Sequence, residues 1–257
     1  MDIFLPLKVS LCAAWSPFGI DGRWYHYKAL SDVVDFLYVM CYDTRSQIFD
    51  SCVASANAPL PGNFLFSSLQ HIDFTAVLYS LCLPFLSMNV SLVCMKGIEQ
   101  FSQTGVSPDQ LVLGVPWYGY RYECVGEFDL LRSKTCAIAH DPFRGVNCSD
   151  AAGSEHSYKE IRSIVNSGRN TSIVFRDEYL NVPFFNYEEA GKPYQVWYDD
   201  TLSLRTLYQF AKDANLRGTG PYRWDQLDLI NNPHESSEMF NALKEIFSEK
   251  TITEKIS

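Results

Sequence analysis

The sequence predicts an α/β fold whose main strands run parallel and are covered on both faces. Three observations lead there. Four apolar runs of strand length occur, at residues 9–15 (VSLCAAW), 36–42 (FLYVMCY), 111–118 (LVLGVPWY) and 218–224 (GTGPYRW). The first three are nearly continuous instead of alternating, which is the pattern of strands buried on both sides. Helical stripes lie between the runs, so that strand and helix alternate along the chain.

Taken in order, the first run is followed by a short helical pattern at 27–34 and then by the second run, one ordinary βα unit. The third run stands far down the chain, and the fourth farther still, so each of the last two gaps holds an insertion. Residues 60–95 are apolar without a helical or strand period. Within them, residues 74–95 are 22 residues with no charge, the length of a membrane span. Pro84, Asn89 and several serines argue against a span, and none is expected. Residues 119–200 are rich in Tyr, Asn, Gly and Cys and read as a small α+β insertion. In 202–215, Leu204, Leu207, Tyr208 and Ala211 fall on one stripe, with Gly218 as a stop. In 237–249, Met239, Phe240, Leu243, Ile246 and Phe247 share a face. The chain thus divides into 1–59, an atypical insert at 60–95, and 96–257.

Of the 257 residues, 47% are apolar, enough for a sizeable core, and 14% are aromatic, including 15 Tyr and 5 Trp. Tyr and Trp join a flat apolar face to a polar tip, which suits a surface that stacks on sugars as well as an ordinary core. The net charge is −9 and no basic block occurs, which excludes nucleic acid or an anionic membrane as a partner. The eight cysteines contain no CxxC, and the five histidines show no ligand spacing, so neither a metal nor another cofactor is expected. Cys12 and Cys41 lie in strand-like runs and read as small core hydrophobes. Cys124, Cys136 and Cys148 sit in the loop-rich insertion, where disulfides fit. With sequons at Asn89, Asn147 and Asn170 they point to a lysosomal or secreted protein. The first residues, MDIFLPLKVSLCAAW, do not read as a signal peptide: no basic segment leads, and Lys8 interrupts the apolar run.

The second run ends on Tyr42 and Asp43. In parallel-stranded α/β folds the residues at strand C-termini line the ligand site. FLYVMCYD resembles the M-x-Y-D strand end of glycoside hydrolase family 18, LVLGVPWYGY resembles that family's next strand, and QVWYDD at 195–200 its Trp-Tyr-Asp stretch. AWSPFGIDGRWYHY, ANAPL, PFRG and CSDAAG fit the same order. The resemblance covers roughly 7–59 and 96–248 and implies a partial (β/α)8 barrel, with the four runs as strands five to eight. It implies N-acetylglucosamine oligosaccharides as ligands. Tyr42 would donate to the acetamide oxygen, Asp43 would orient the sugar, and Met40 would pack beneath. Trp117, Tyr118 and Trp197 would face sugar. The floor of the subsite would be Trp224, with Tyr222 competing for that place, and Arg144 of PFRG would brace the insertion.

Family 18 reactions are substrate-assisted: the 2-acetamido oxygen attacks the anomeric carbon while a glutamic acid protonates the leaving oxygen. That acid ends a D-x-x-D-x-D-x-E motif on the fourth strand. No D-x-D-x-E occurs in the sequence; Asp225-Gln226-Leu227-Asp228 has no Glu two positions on. The expectation is a chitobiase- or chitinase-like polypeptide without its general acid, inactive alone. The alternatives are a lectin-like N-acetylglucosamine binder or, if 74–95 spans a bilayer, a tethered interaction protein. Half a barrel has two open edges, so self-association is also expected.

Overall fold

A computed structural model describes residues 7–44, 51–60 and 93–248. In chain order the elements are β1 (Ser10–Ala14), α1 (Tyr27–Ser31), β2 (Phe36–Met40), α2 (Val93–Gln103), β3 (Leu111–Pro116), β4 (Tyr118–Glu123), β5 (Gly153–Ser157), α3 (Tyr158–Ser167), β6 (Phe175–Arg176), β7 (Pro183–Glu189), β8 (Lys192–Tyr198), α4 (Thr201–Asp213), β9 (Gly218–Tyr222) and α5 (Pro233–Phe247). All four apolar runs form strands, and they pair as one parallel sheet in the order β1-β2-β3-β9. The segment between β3 and α4 forms a second, antiparallel sheet in the order β5-β4-β8-β7-β6. No closed barrel occurs among the described residues.

The parallel sheet is not covered equally on its two faces. Leu37, Val39 and Cys41 are fully buried with Leu111 and Leu113 on one face, alongside residues of α2 and α4. On the other, Tyr38 and Met40 are half-buried and Cys12 is exposed. This corrects the expectation of two buried faces: β3 is buried throughout but for Val112, while β2 alternates by exposure. It also moves Cys12 out of the core. On the half-covered face the Tyr38 ring lies over Gly114, where a Cβ would sit 2.5 Å from the ring, and its hydroxyl donates to the Gly220 carbonyl at 2.9 Å.

The helix boundaries follow from their caps. Asp200 begins α4 by accepting from the amides of Leu202 and Ser203, and Leu204, Leu207, Tyr208 and Ala211 are buried as the stripe predicts. Ser157 and Glu160 form a reciprocal capping box on α3, which ends on Gly168 at φ 61°. Helix α2 comes so close to the end of β1 that a Cβ on Gly97 would meet the Trp15 carbonyl at 1.8 Å.

Disulfides join Cys41 to Cys94, Cys52 to Cys148 and Cys124 to Cys136. Cys41 is therefore a cross-link and not a lone small hydrophobe: it points to the helix-covered face, where the first turn of α2 brings Cys94. Cys82 and Asn89 lie outside the described residues, as does most of the apolar insert. Of that insert, Leu60 is buried in the core and 93–95 open α2. Among the described residues no helix is long and apolar enough to cross a membrane.

Candidate active site

The C-terminal ends of β2, β3 and β9 converge. The Cys41 amide donates to the Gly114 carbonyl at 3.1 Å and the Trp117 amide to the Tyr222 carbonyl at 2.9 Å. These bonds carry the sheet one step past its strands and set Tyr42, Tyr118 and Tyr222 around one another. Tyr42 stacks on Tyr222 at 5.2 Å between ring centroids, with 23° between planes. Tyr118 stands edge-on to both, at 6.0 Å and 5.9 Å. Such pairs prefer these offset and edge-to-face geometries.

Asp43 closes this cluster. Its backbone is left-handed, at φ 53°, and it accepts from the Tyr118 hydroxyl at 2.6 Å. Burial pushes its carboxyl above the usual carboxylate range, while hydrogen bonds from the Tyr118 and Tyr120 hydroxyls pull it back. Burial pushes the Tyr42 hydroxyl far up as well, with the charge of Asp43 adding to it. Tyr42 therefore keeps its proton at every physiological pH and is a donor. Tyr120 tilts onto Tyr118 at 6.2 Å, and Glu155 lies directly across from it on β5. Burial and then Asp43 raise the Glu155 carboxyl, and Arg223 opposes them.

The expected site residues thus separate. Tyr42, Asp43, Tyr118 and Tyr222 come together, with Met40 two residues back on the Tyr42 side of β2. Trp224 does not join them. The strand stops at Tyr222, the next turn carries Trp224 outward, and its side chain is 59% exposed. Trp117 is fully buried; its indole N–H donates to the Tyr208 hydroxyl at 3.0 Å and its ring meets Phe240 edge-on at 5.0 Å. Trp197 is buried against Phe184, stacked at 4.3 Å, with its N–H on Gln195 Oε1 at 2.8 Å. Both tryptophans are buried, with their indole N–H groups bonded to protein, and they stand apart from the tyrosine cluster in the ring contacts of the described residues. Arg144 donates to the Asp21 carbonyl at 2.6 Å and so ties the insertion to the loop after β1.

Sequence reasoning missed Tyr38, Tyr120 and Asn57. Tyr120 could have been found from the Tyr118-Gly-Tyr120-Arg-Tyr122 alternation, which puts three tyrosines on one face of a strand. Asn57 accepts the Asp43 amide at 2.7 Å, and its carbonyl accepts the Thr44 hydroxyl at 3.1 Å. Among the described residues no group of three or more His, Cys, Asp or Glu side chains could hold a metal ion.

A family model for glycosyl hydrolases family 18 matches residues 7–226. Di-N-acetylchitobiase from Rattus norvegicus is 36% identical over 241 residues, which are 92% of this chain and 56% of the rat protein. Probable di-N-acetylchitobiase 2 from Dictyostelium discoideum is 36% identical over 254 residues, 96% of this chain and 58% of that protein. The chain therefore spans little more than half the length of these curated relatives. A class V chitinase mutant from Nicotiana tobaccum, solved in complex with NAG4, superposes with a TM-score of 0.61 at 20% identity, over 93% of this chain and 57% of that one. The likeness gives the chain an α/β, TIM-barrel-like fold.

Proposed function

Since the chain belongs to glycosyl hydrolase family 18, we propose that it carries the acetamide-gripping wall of a chitobiase- or chitinase-like site and binds N-acetylglucosamine oligosaccharides of chitin or glycoprotein glycans. The observation that carries this reading is the cluster of Tyr42, Tyr118 and Tyr222 closed by Asp43 at the C-terminal strand ends. A protonated Tyr42 hydroxyl supplies a donor for an acetamide oxygen. Tyr222, 36% exposed and stacked on Tyr42, offers a ring face to a pyranose. In this reading Tyr222 takes the floor position and Trp224 stands at the rim beside Arg223. Strands β1, β2, β3 and β9 correspond to strands five to eight of an eight-stranded barrel, with the antiparallel sheet as the insertion.

The chain's own residues orient the acetamide, and the proton for the leaving oxygen has no donor of the D-x-D-x-E type in this sequence. Binding without turnover is therefore the property assigned to this chain. Titration calorimetry with N,N′-diacetylchitobiose and an assay on a fluorogenic chitobioside test it together. The expected result is saturable binding and no hydrolysis above background; turnover that survives purification refutes it. The three disulfides and the exposed sequons at Asn147 and Asn170 support a lysosomal or secreted location. A mobility shift on glycosidase treatment of the cell-expressed chain checks that.

A further inference from the structure

We propose that Asn57 is the positioning residue of this site, holding Asp43 and Tyr118 in the arrangement that meets an acetamido group. The inference rests on the reading of the site as an N-acetylglucosamine subsite. Two consecutive residues after β2 are tied to this one asparagine. The Asp43 amide donates to its side-chain oxygen at 2.7 Å, and the Thr44 hydroxyl donates to its carbonyl at 3.1 Å. The first bond matters because Asp43 sits at φ 53°, a left-handed conformation that is uncommon for non-glycine residues although aspartate adopts it more readily than most, and the bond from its amide helps to fix it there. Asn57 is 3% exposed and acts from behind Asp43, out of contact with a ligand.

Asn57 is itself anchored. Its loop, residues 51–60, is fastened to the insertion by the Cys52–Cys148 disulfide and by backbone bonds from Ala54 to Cys136 at 2.9 Å and from Ile138 to Cys52 at 3.0 Å. Ala54 and Ala56 are buried with Tyr122 and Trp197. The face of the antiparallel sheet thereby fixes the end of a strand in the other sheet. The Asn57 amide nitrogen has no hydrogen-bond partner, yet the amide lies near enough to the Tyr118 hydroxyl to offset part of its rise in pKa. An amide suits the position where a carboxylate does not, since a second negative charge beside Asp43 would be repelled.

The full chain with Asn57→Ala, with Asn57→Asp and with Asn57→Leu tests this. Carbon-13 NMR follows the Asp43 carboxyl titration in ligand-free protein, its signal assigned by comparison with Asp43→Asn. Calorimetry with tri-N-acetylchitotriose follows affinity. Asn57→Asp keeps size and the acceptor for the Asp43 amide, and is expected to move the Asp43 midpoint upward by at least about half a pH unit. Asn57→Ala is expected to weaken trimer binding about tenfold, the worth of one buried hydrogen bond. A purely space-filling residue is replaced without effect by the near-isosteric Asn57→Leu, which has no acceptor for the Asp43 amide; an unchanged Asp43 midpoint and unchanged trimer affinity in that variant overturn the proposal, whereas the upward shift in Asn57→Asp reports only the added charge. If Asn57→Ala does not fold, Asn57→Leu still decides. If the unaltered chain binds no trimer, the reading of the site fails, while the ligand-free titration still decides the role of Asn57.

Discussion

Replacing Asp199 with asparagine should remove a large part of the protein's pH dependence of stability. Asp199 ends β8 just before the cap of α4. It is 1% exposed, and neither carboxyl oxygen makes a hydrogen bond of good geometry, although the Ser203 side chain lies near. Burial pushes its pKa from the ordinary 3.8 up to about 7, with Ser203 opposing the rise and Asp200 adding to it. The folded-state value lies above the unfolded one, so the group costs nothing below about pH 4. Between pH 4 and 7 the unfolded chain ionises first and is favoured, and above 7 the penalty is constant. Roughly three pKa units at 1.36 kcal/mol each amount to about 4 kcal/mol by pH 7. Urea unfolding at half-unit steps from pH 4 to 8, for the unaltered chain and for Asp199→Asn, measures this directly. The variant's stability should fall less steeply over pH 4–7, so that the gap between the two grows to a few kcal/mol at pH 7.5 in its favour. A constant difference arising from the amide's own burial shifts the whole curve and is separable from the slope. Parallel curves for the two proteins refute the argument, because they mean that Asp199 titrates equally in the folded and unfolded chains.

Tyr222→Ala should weaken binding of tri-N-acetylchitotriose about tenfold in calorimetry, through loss of a stacking face, whereas Trp224→Ala should change it by less than about threefold. Trp117→Ala should cost about 3–5 kcal/mol of stability in urea unfolding, because it empties a fully buried site and strands the Tyr208 hydroxyl. Breaking Cys52–Cys148 with paired serines should cost up to about 4–5 kcal/mol, since the cross-link spans 96 residues of sequence; the unfolding midpoint with and without reductant checks it. Light scattering should show mass rising with concentration, as the edges at β1 and β9 and the exposed Cys12 face call for a pairing partner. A constant monomer mass up to millimolar concentration rules that out.

Much of the parallel sheet was legible because burial wrote it into residue type. The β3 run is continuous since all but Val112 is buried, and the stripe of α4 recurs at helical spacing; in α5 Met239, Leu243 and Ile246 pack on the core while Phe240 and Phe247, expected on the same face, are exposed. The alternation in β2 was not legible, although it exists: Tyr38 and Met40 face the half-covered side, and tyrosine and methionine count as apolar whether or not they are covered. The disulfides were hidden for a related reason. Cys41 stands in an apolar run, where a free thiol and half a cystine look alike, and its partner is set by how α2 lands on the sheet.

The candidate site divides in the same way. Tyr42, Asp43 and Tyr118 were legible because strand ends carry them and their motifs mark those ends. Between Tyr222 and Trp224, sequence offers no choice: two aromatics two positions apart share one face of any strand that runs through both. The hydrogen bond from the Trp117 amide to the Tyr222 carbonyl is among the last that join β3 and β9, and past it the chain turns, so parity ceases to hold one residue before Trp224. Asn57 was illegible on different grounds. Its decisive contact is with a backbone amide, 14 residues away, and every residue but proline carries such an amide. A residue that positions another through its main chain leaves no trace in the other's identity, which is why a site can be read from its ligand-facing side chains and still lack the residue that holds them in place.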